Sequence, residues 1–254
     1  VNVRGCSNTV TAAESEGAYL LHISSSAIYG IPKRLPVTLD SPIAPIETYG
    51  QSKAEAEVLV DGRRSDEFPI ASLRPRALLG PGRLGIFDLM FSRIAAGKGV
   101  PLLGAQNTVQ LCHVDDFCAA ALLAIEQRSN GTYNIAAEEF SPTIREDLEA
   151  MIAQVGSGAK VVPLPMIAAR ALLPPLAALG LVSFTAWHWR AAPAPFWCDV
   201  SAARRDLGWA PQHSNTGALR DSYEHYTGRS SQSDHEGSLH SRPLGGLAAR
   251  LMRG

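Results

Sequence analysis

Short apolar runs alternate along this chain with stretches patterned for helix. Ala18–Ser24 (AYLLHIS) is a compact apolar run, the pattern of a strand buried on both faces of a parallel sheet. His22 within it reads as a satisfied core histidine. Pro69–Leu79 predicts a second buried strand, and Tyr133–Ala136 and Lys160–Leu164 predict shorter ones. Helices are predicted over Asn2–Glu16, Ser52–Asp61, Ile86–Ala96, Val114–Gln127 and Arg145–Val155, with Asp115 or Asp116 placed to cap the fourth. Ile31–Ile46 holds Pro32, Pro36, Pro42 and Pro45 and is predicted to be loop. Strands alternating with helices predict the α/β class with a mainly parallel sheet.

Composition narrows the function classes. With 254 residues, 46% hydrophobic and 19% charged, the chain is ordinary globular material, which excludes a disordered or fibrous protein. Its 23 basic and 24 acidic residues leave a net charge of −1 without a local basic patch, so no nucleic-acid partner is expected. Cys6, Cys112, Cys118 and Cys198 form no CxxC, which predicts a reduced, cytoplasmic chain with neither disulfide framework nor zinc site. The most apolar region, Val161–Trp187, is interrupted by Arg170 and by Pro174-Pro175. No run approaches the ~20 apolar residues of a bilayer span, so an amphipathic helix over a substrate pocket is expected rather than an integral membrane segment. From Gly228 the sequence turns polar and Ser/Gly-rich, predicting a loose tail. The chain opens on Val1 without a secretory leader pattern.

The most informative chemistry is Tyr49-Gly-Gln-Ser-Lys53. On a helix, positions i and i+4 share a face, so an ammonium beside a phenol stabilises phenolate and makes Tyr49 a general acid/base candidate. About 25 residues upstream, Ser24-Ser25-Ser26 follows a buried strand directly, at the carboxyl end where α/β proteins build their sites. A serine hydroxyl there would hold a substrate oxygen while Tyr49 exchanges its proton. Together they suggest alcohol–carbonyl interconversion.

Other patterns carry less. Gly80-Pro-Gly82-Arg-Leu-Gly85 fits G-x-G-x-x-G formally. However, Pro81 removes a donor where phosphate needs amide N–H groups, and no acidic residue follows at ribose distance, so it reads as a tight turn. His113, Asp115 and Asp116 lack a fourth metal ligand, and no metal site is predicted. No G-x-S-x-G marks a hydrolase. Trp187, Trp189 and Trp197, near His188 and Arg190, read as packing of a substrate region, with an aromatic pocket wall as the alternative.

Six motifs occur in a telling order: SSSAIYG after its strand, YGQSK, Arg74-Pro-Arg-Ala-Leu-Leu-Gly-Pro-Gly82, His113-Val-Asp-Asp116, Gly131-Thr-Tyr-Asn-Ile135 and Asp206-Leu-Gly-Trp-Ala-Pro211. From Asn2 to about Tyr226 the chain resembles the NAD-dependent epimerase/dehydratase family, the extended short-chain dehydrogenases/reductases. The resemblance implies a Rossmann-like parallel sheet with a smaller C-terminal α/β substrate-binding region. It implies Tyr49 as acid/base, Lys53 tuning it and holding the nicotinamide ribose, and Ser25 as the catalytic serine. NAD or NADP would be the cofactor, touched by Ser24, Tyr49, Lys53 and Pro75. Ser26, Arg76, Arg83 and His113 are the substrate-binding candidates, the partner is a small molecule, and pairing into a homodimer is implied through the YxxxK helix.

In the family, about 90–100 residues holding a glycine-rich phosphate loop precede the segment matched by Asn2–Asn8, in which Cys6 replaces a usual threonine. The resemblance therefore places 1–130 as the later half of the dinucleotide domain, 131–227 as mainly substrate-binding, and 228–254 as tail. Two positions depart from the sugar-nucleotide pattern: Ala77 replaces an asparagine and Val109 replaces the arginine that clamps the diphosphate. A nucleotide-sugar enzyme, a reductase of an apolar hydroxy or keto substrate, and a catalytically silent fragment or substrate-binding module all remain open on these residues.

Overall fold

The computed structural model describes residues 1–84, 87–165, 167 and 194–231. Expectations on Gly85, Ile86, Arg170, Pro174-Pro175, Trp187, His188, Trp189, Arg190, the covering helix and the tail beyond 231 lie outside the described residues.

In chain order the elements are α1 (Asn2–Ser15), β1 (Leu20–Ile23), a 3-10 turn (Ser26–Tyr29), α2 (Thr48–Asp61), β2 (Ile70–Pro75), β3 (Ala77–Leu79), α3 (Phe87–Ala95), β4 (Val100–Leu103), β5 (Leu111–His113), α4 (Val114–Glu126), β6 (Gly131–Ile135), α5 (Ile144–Val155), β7 (Val161–Leu164), α6 (Ser201–Leu207) and α7 (Asn215–Ser231). They divide into two compact units, one of 1–79, 109–140 and 196–218, the other of 80–108, 141–195 and 219–254.

The first unit is built on a parallel sheet in the order β1-β2-β6, with Leu20 opposite Ile70 and Ala71 opposite Gly131, and on a second parallel pair, β3-β5. Every residue of the central strand β2 is buried, including the polar Ser72 and the charged Arg74. The core beneath it joins Leu73, Phe117, Tyr133, Ile135 and Leu207 to Trp209. Trp209 is fully enclosed, yet its indole N–H is satisfied by the Asp116 carbonyl at 2.9 Å.

Three local expectations are corrected. β1 is half-buried rather than enclosed, with Ile23 47% exposed, because among the described residues it pairs with β2 alone. The predicted strand Pro69–Leu79 is two strands that part at Arg76. There the Arg76 N–H still reaches the Ile135 carbonyl at 2.9 Å, while β3 leaves to pair with β5. The cap of α4 is neither aspartate but His113, whose Nδ1 accepts the Asp115 N–H at 3.1 Å. Asp116 instead points its carboxylate at the Gln212 and His213 N–H groups, 2.9 and 3.1 Å away, and so holds the segment after Trp209.

In the second unit β4 and β7 run parallel, Val100 opposite Val161. Helix α5 starts at Thr143, whose hydroxyl accepts the Glu146 N–H at 3.2 Å and donates to the Glu146 carboxylate at 2.9 Å. It ends at Gly156, in the left-handed region with φ of +67°. Phe91 packs against Tyr223 and Tyr226 with ring centroids 5.8 and 6.1 Å apart. The Gly80–Arg83 segment is a tight turn closed by the Arg83 N–H on the Gly80 carbonyl at 2.9 Å. Among the described residues no helix is long and apolar enough to cross a membrane.

Candidate active site

The carboxyl end of β1 runs directly into the 3-10 turn that carries the serines. Ser24 stays tied to the sheet, its N–H donating to the Leu73 carbonyl of β2 at 2.8 Å. Ser25 caps the turn, accepting the Ala27 N–H on Oγ at 3.2 Å. That contact uses an acceptor lone pair, so the Ser25 hydroxyl hydrogen is left to donate elsewhere. Ser26 is buried as the first residue of the turn. The turn ends at Gly30 with φ of +64°, where a Cβ would stand 2.0 Å from the Ala44 carbonyl oxygen, so only glycine fits.

Helix α2 is brought against this turn by another glycine. A Cβ on Gly50 would lie 2.7 Å from the Ala27 carbonyl oxygen and 3.0 Å from Pro45 Cβ. The missing side chain thus lets the first turn of α2 approach Ser25–Tyr29. Tyr49 sits there, 53% exposed, and Lys53 follows one helical turn later. The Lys53 ammonium donates to the Ile23 carbonyl, the last of β1, at 2.8 Å. Burial holds it below the ordinary lysine value, with the neighbouring Cys6 thiol working the other way. The structure therefore brings Ser25, Tyr49 and Lys53 onto elements that converge at the end of β1.

Beneath them lies a polar network that the sequence reading did not anticipate. Glu57, one turn beyond Lys53, is buried and pairs with Arg74 of β2. The Arg74 Nε donates to Glu57 Oε1 at 2.8 Å, and Nη2 donates to the same oxygen. The other Glu57 oxygen accepts the Ser24 hydroxyl. Arg74 Nη1 donates to the Tyr29 oxygen at 2.5 Å, and Tyr29 donates to Asn134 Oδ1 of β6 at 2.9 Å. Although burial opposes its charge, Arg74 is held above the ordinary arginine value by the Glu57 hydrogen bonds and charge. The network links the helix of Tyr49 and Lys53 to all three strands. Its sequence signal was the spacing: Tyr49, Lys53 and Glu57 fall at successive i+4 positions of one helical stripe.

His22 departs from the expected satisfied state. Its Nδ1 faces Cys6 Sγ at 3.8 Å and its Nε2 is buried without a partner. Burial, with the Lys53 charge adding to it, pushes its pKa from 6.5 down to about 4. In the unfolded chain the imidazole titrates near its ordinary value, so below pH 6.5 the unfolded state takes the proton first. The stability that neutral His22 permits is whole above pH 6.5 and is lost as pH falls towards 4. Urea unfolding is expected to show about 1–2 kcal/mol lost between pH 7 and pH 5 that His22→Asn does not lose. Equal losses in the two proteins would refute the assignment.

The remaining candidates are placed differently. Pro75 ends β2, beside the end of β1, and Arg76 follows it. Arg83 is exposed, beyond the Gly80 turn in the second unit. His113 is buried and stacks on His213, ring centroids 3.8 Å apart and planes within 12°. Ligand atoms of His113, Asp115 and His213 lie within 4.8 Å of one another, a grouping that sequence spacing could not show. The two rings lie face on face and His113 Nδ1 already accepts the Asp115 N–H, which is an arrangement of capping and packing.

A model of the NAD dependent epimerase/dehydratase family matches residues 1–136. The chain belongs to this family. Among its relatives it is 35% identical over 228 residues to the uncharacterized protein y4nG of Sinorhizobium fredii, covering 88% of this chain and 57% of the relative. It is 26% identical over 250 residues to UDP-arabinose 4-epimerase 1 of Arabidopsis thaliana, covering 86% of this chain and 53% of that one. It also superposes on WbmG of Bordetella bronchiseptica, solved in complex with NAD, with a TM-score of 0.68 and 26% identity over 89% of this chain and 65% of that chain. The chain thus spans little more than half the length of the curated relatives it matches. The epimerase/dehydratase membership and the Rossmann-like parallel α/β class expected from the six ordered motifs both hold.

Proposed function

We propose that this chain carries the catalytic residues of an NAD- or NADP-dependent epimerase or dehydratase acting on a small alcohol or carbonyl compound, with a nucleotide sugar as the preferred substrate. The observation that supports it best is the convergence at the end of β1: Lys53 anchored to the Ile23 carbonyl, Tyr49 one turn away and solvent-accessible, and Ser25 with a donor hydrogen to spare. The relatives lend the substrate class, since one is named a UDP-arabinose 4-epimerase.

The nicotinamide group, when bound, would accept and return hydride. Ser24 and Pro75 at the strand ends, with Tyr49 and Lys53, are the residues that would hold it: the Tyr49 hydroxyl is accessible and the Lys53 ammonium is a donor suited to a ribose, while Ser24 and Pro75 are buried at the strand ends. On this reading Ser25 Oγ–H donates to the substrate oxygen and Tyr49 Oη takes or returns its proton. Lys53, already lowered by burial, stabilises the phenolate by its charge. Glu57 and Ser24 fix the helix and the strand end relative to one another. Val58, 71% exposed, and Leu59 on the outer face of α2 support the further proposal that two copies pair through this helix.

Titrating NADH and NADPH against the protein by fluorescence, then incubating it with the oxidised cofactor and a UDP-sugar, tests the reading. Micromolar binding of one cofactor and a C4-epimerised or keto product in the NMR spectrum are expected. Binding of a nucleotide sugar without any cofactor binding would replace the enzyme reading with that of a substrate-binding module.

A further inference from the structure

Arg74 and Arg76 stand two residues apart at the end of β2, and their surroundings are opposite. Arg74 spends its donors on Glu57 and Tyr29. Arg76 spends none: among the described residues no carboxylate pairs with it, and its Nε is buried without a hydrogen-bond partner. Its guanidinium carbon lies over the Phe196 ring, 4.2 Å from the centroid. An aromatic face steadies the cation while leaving its N–H donors directed outward in the guanidinium plane, where a two-oxygen anion can be gripped bidentately. Burial without a counter-charge works against the protonated form and holds Arg76 below the ordinary arginine value.

Such an arrangement is costly in a folded protein unless an anion completes it. Its location says where such an anion would come from. Arg76 directly follows Pro75, and the end of β2 is hydrogen-bonded to the strand end that carries Ser24 and Ser25. A group bound at Arg76 therefore shares the sheet end with the proposed reacting centre.

We propose that Arg76 is an anion-binding residue of this site, receiving a carboxylate or phosphate carried by the substrate. The proposal rests on reading the end of β1 and β2 as the substrate site, and it assigns the substrate a negative charge near its reacting carbon or on its leaving arm.

The test needs no turnover. Modification of Arg76 by phenylglyoxal is followed by peptide mapping on the intact protein, alone and with D-glucuronate, glucose 6-phosphate or glucose. The expected result is that one of the two anions slows modification of Arg76 at least about threefold and raises the melting temperature, whereas glucose does neither. The anion that protects identifies carboxylate or phosphate as the source. Arg76→Met and Arg76→Lys should lose the anion-dependent rise in melting temperature wholly and in part, respectively, because Lys keeps charge but not the two-donor fork. Absence of protection by both anions, or an undiminished rise in Arg76→Met, would overturn the proposal, and the protection data stand even if a variant fails to fold. Tyr49→Phe should bind the anion as wild type does. Protection with no turnover would thus retire the enzymatic reading and leave the anion site standing.

Discussion

On the proposed reading, replacing Tyr49 with Phe is expected to lower kcat by about 10²–10⁴-fold, the usual weight of a positioned acid/base, while leaving the melting temperature unchanged. Tyr49 is half-exposed, and its hydroxyl bonds to nothing among the described residues, so removing that oxygen empties no cavity and breaks no internal contact. What disappears is the group proposed to exchange a proton with the substrate oxygen. Steady-state kinetics and a thermal melt on the same preparation separate the two effects. Turnover within a few-fold of wild type would mean that another group moves the proton, and the convergence on the end of β1 would need a different chemical reading.

The second large effect is expected one helical stripe further along. Glu57→Ala should cost about 3–5 kcal/mol in urea unfolding, because it strands the Arg74 guanidinium in a buried setting and frees the Ser24 hydroxyl of its acceptor. Side-chain exposures of 9% for Arg74 and 4% for Glu57 set this pair apart from Arg63–Glu14, exposed at 47% and 39%, where an alanine should cost well under about 1 kcal/mol. Replacing both partners together, Glu57→Leu with Arg74→Met, should recover much of the loss, since two apolar groups need no counter-charge. A single-variant loss below about 1 kcal/mol would show that water reaches the pair and that α2 is held by its apolar contacts alone.

Much of this was legible in the amino-acid sequence, and the pattern of what was not has physical causes. Long helices declare themselves by their helix-forming composition and capping residues, and β2 by its short, mostly apolar stretch buried on both faces. The strands β4 and β5, of four and three residues, went unread. The N-terminus of α4 was placed correctly but given the wrong cap. Asp115 and Asp116 are common capping residues, yet local preference yielded to the distant Gln212 and His213 amides, which claim Asp116. In the candidate site, Tyr49 and Lys53 could be named from spacing and the serine run from its place after a strand, while Ser25 within that run was named by the family resemblance. Glu57 and Arg74 could not be paired, since nothing in a linear sequence says that a helix carboxylate meets a guanidinium from a strand 17 residues later. Arg76 was visible as a charge beside Pro75, but that no carboxylate among the described residues pairs with it is a property of packing alone.

The parallel pairing of the first unit also governs how the protein reaches its fold. Leu20 finds Ile70 fifty residues downstream, and Ala71 finds Gly131 sixty residues further on, so each strand pairing of this sheet joins residues at least fifty positions apart. Each registration closes a long loop before any contact rewards it, which places the chain among high-contact-order, slow folders. Helices α1 and α2 form from local contacts and can precede the sheet. The Lys53 contact with the Ile23 carbonyl and the Glu57–Arg74 pair both await the strands, so the candidate site is assembled among the last events of folding.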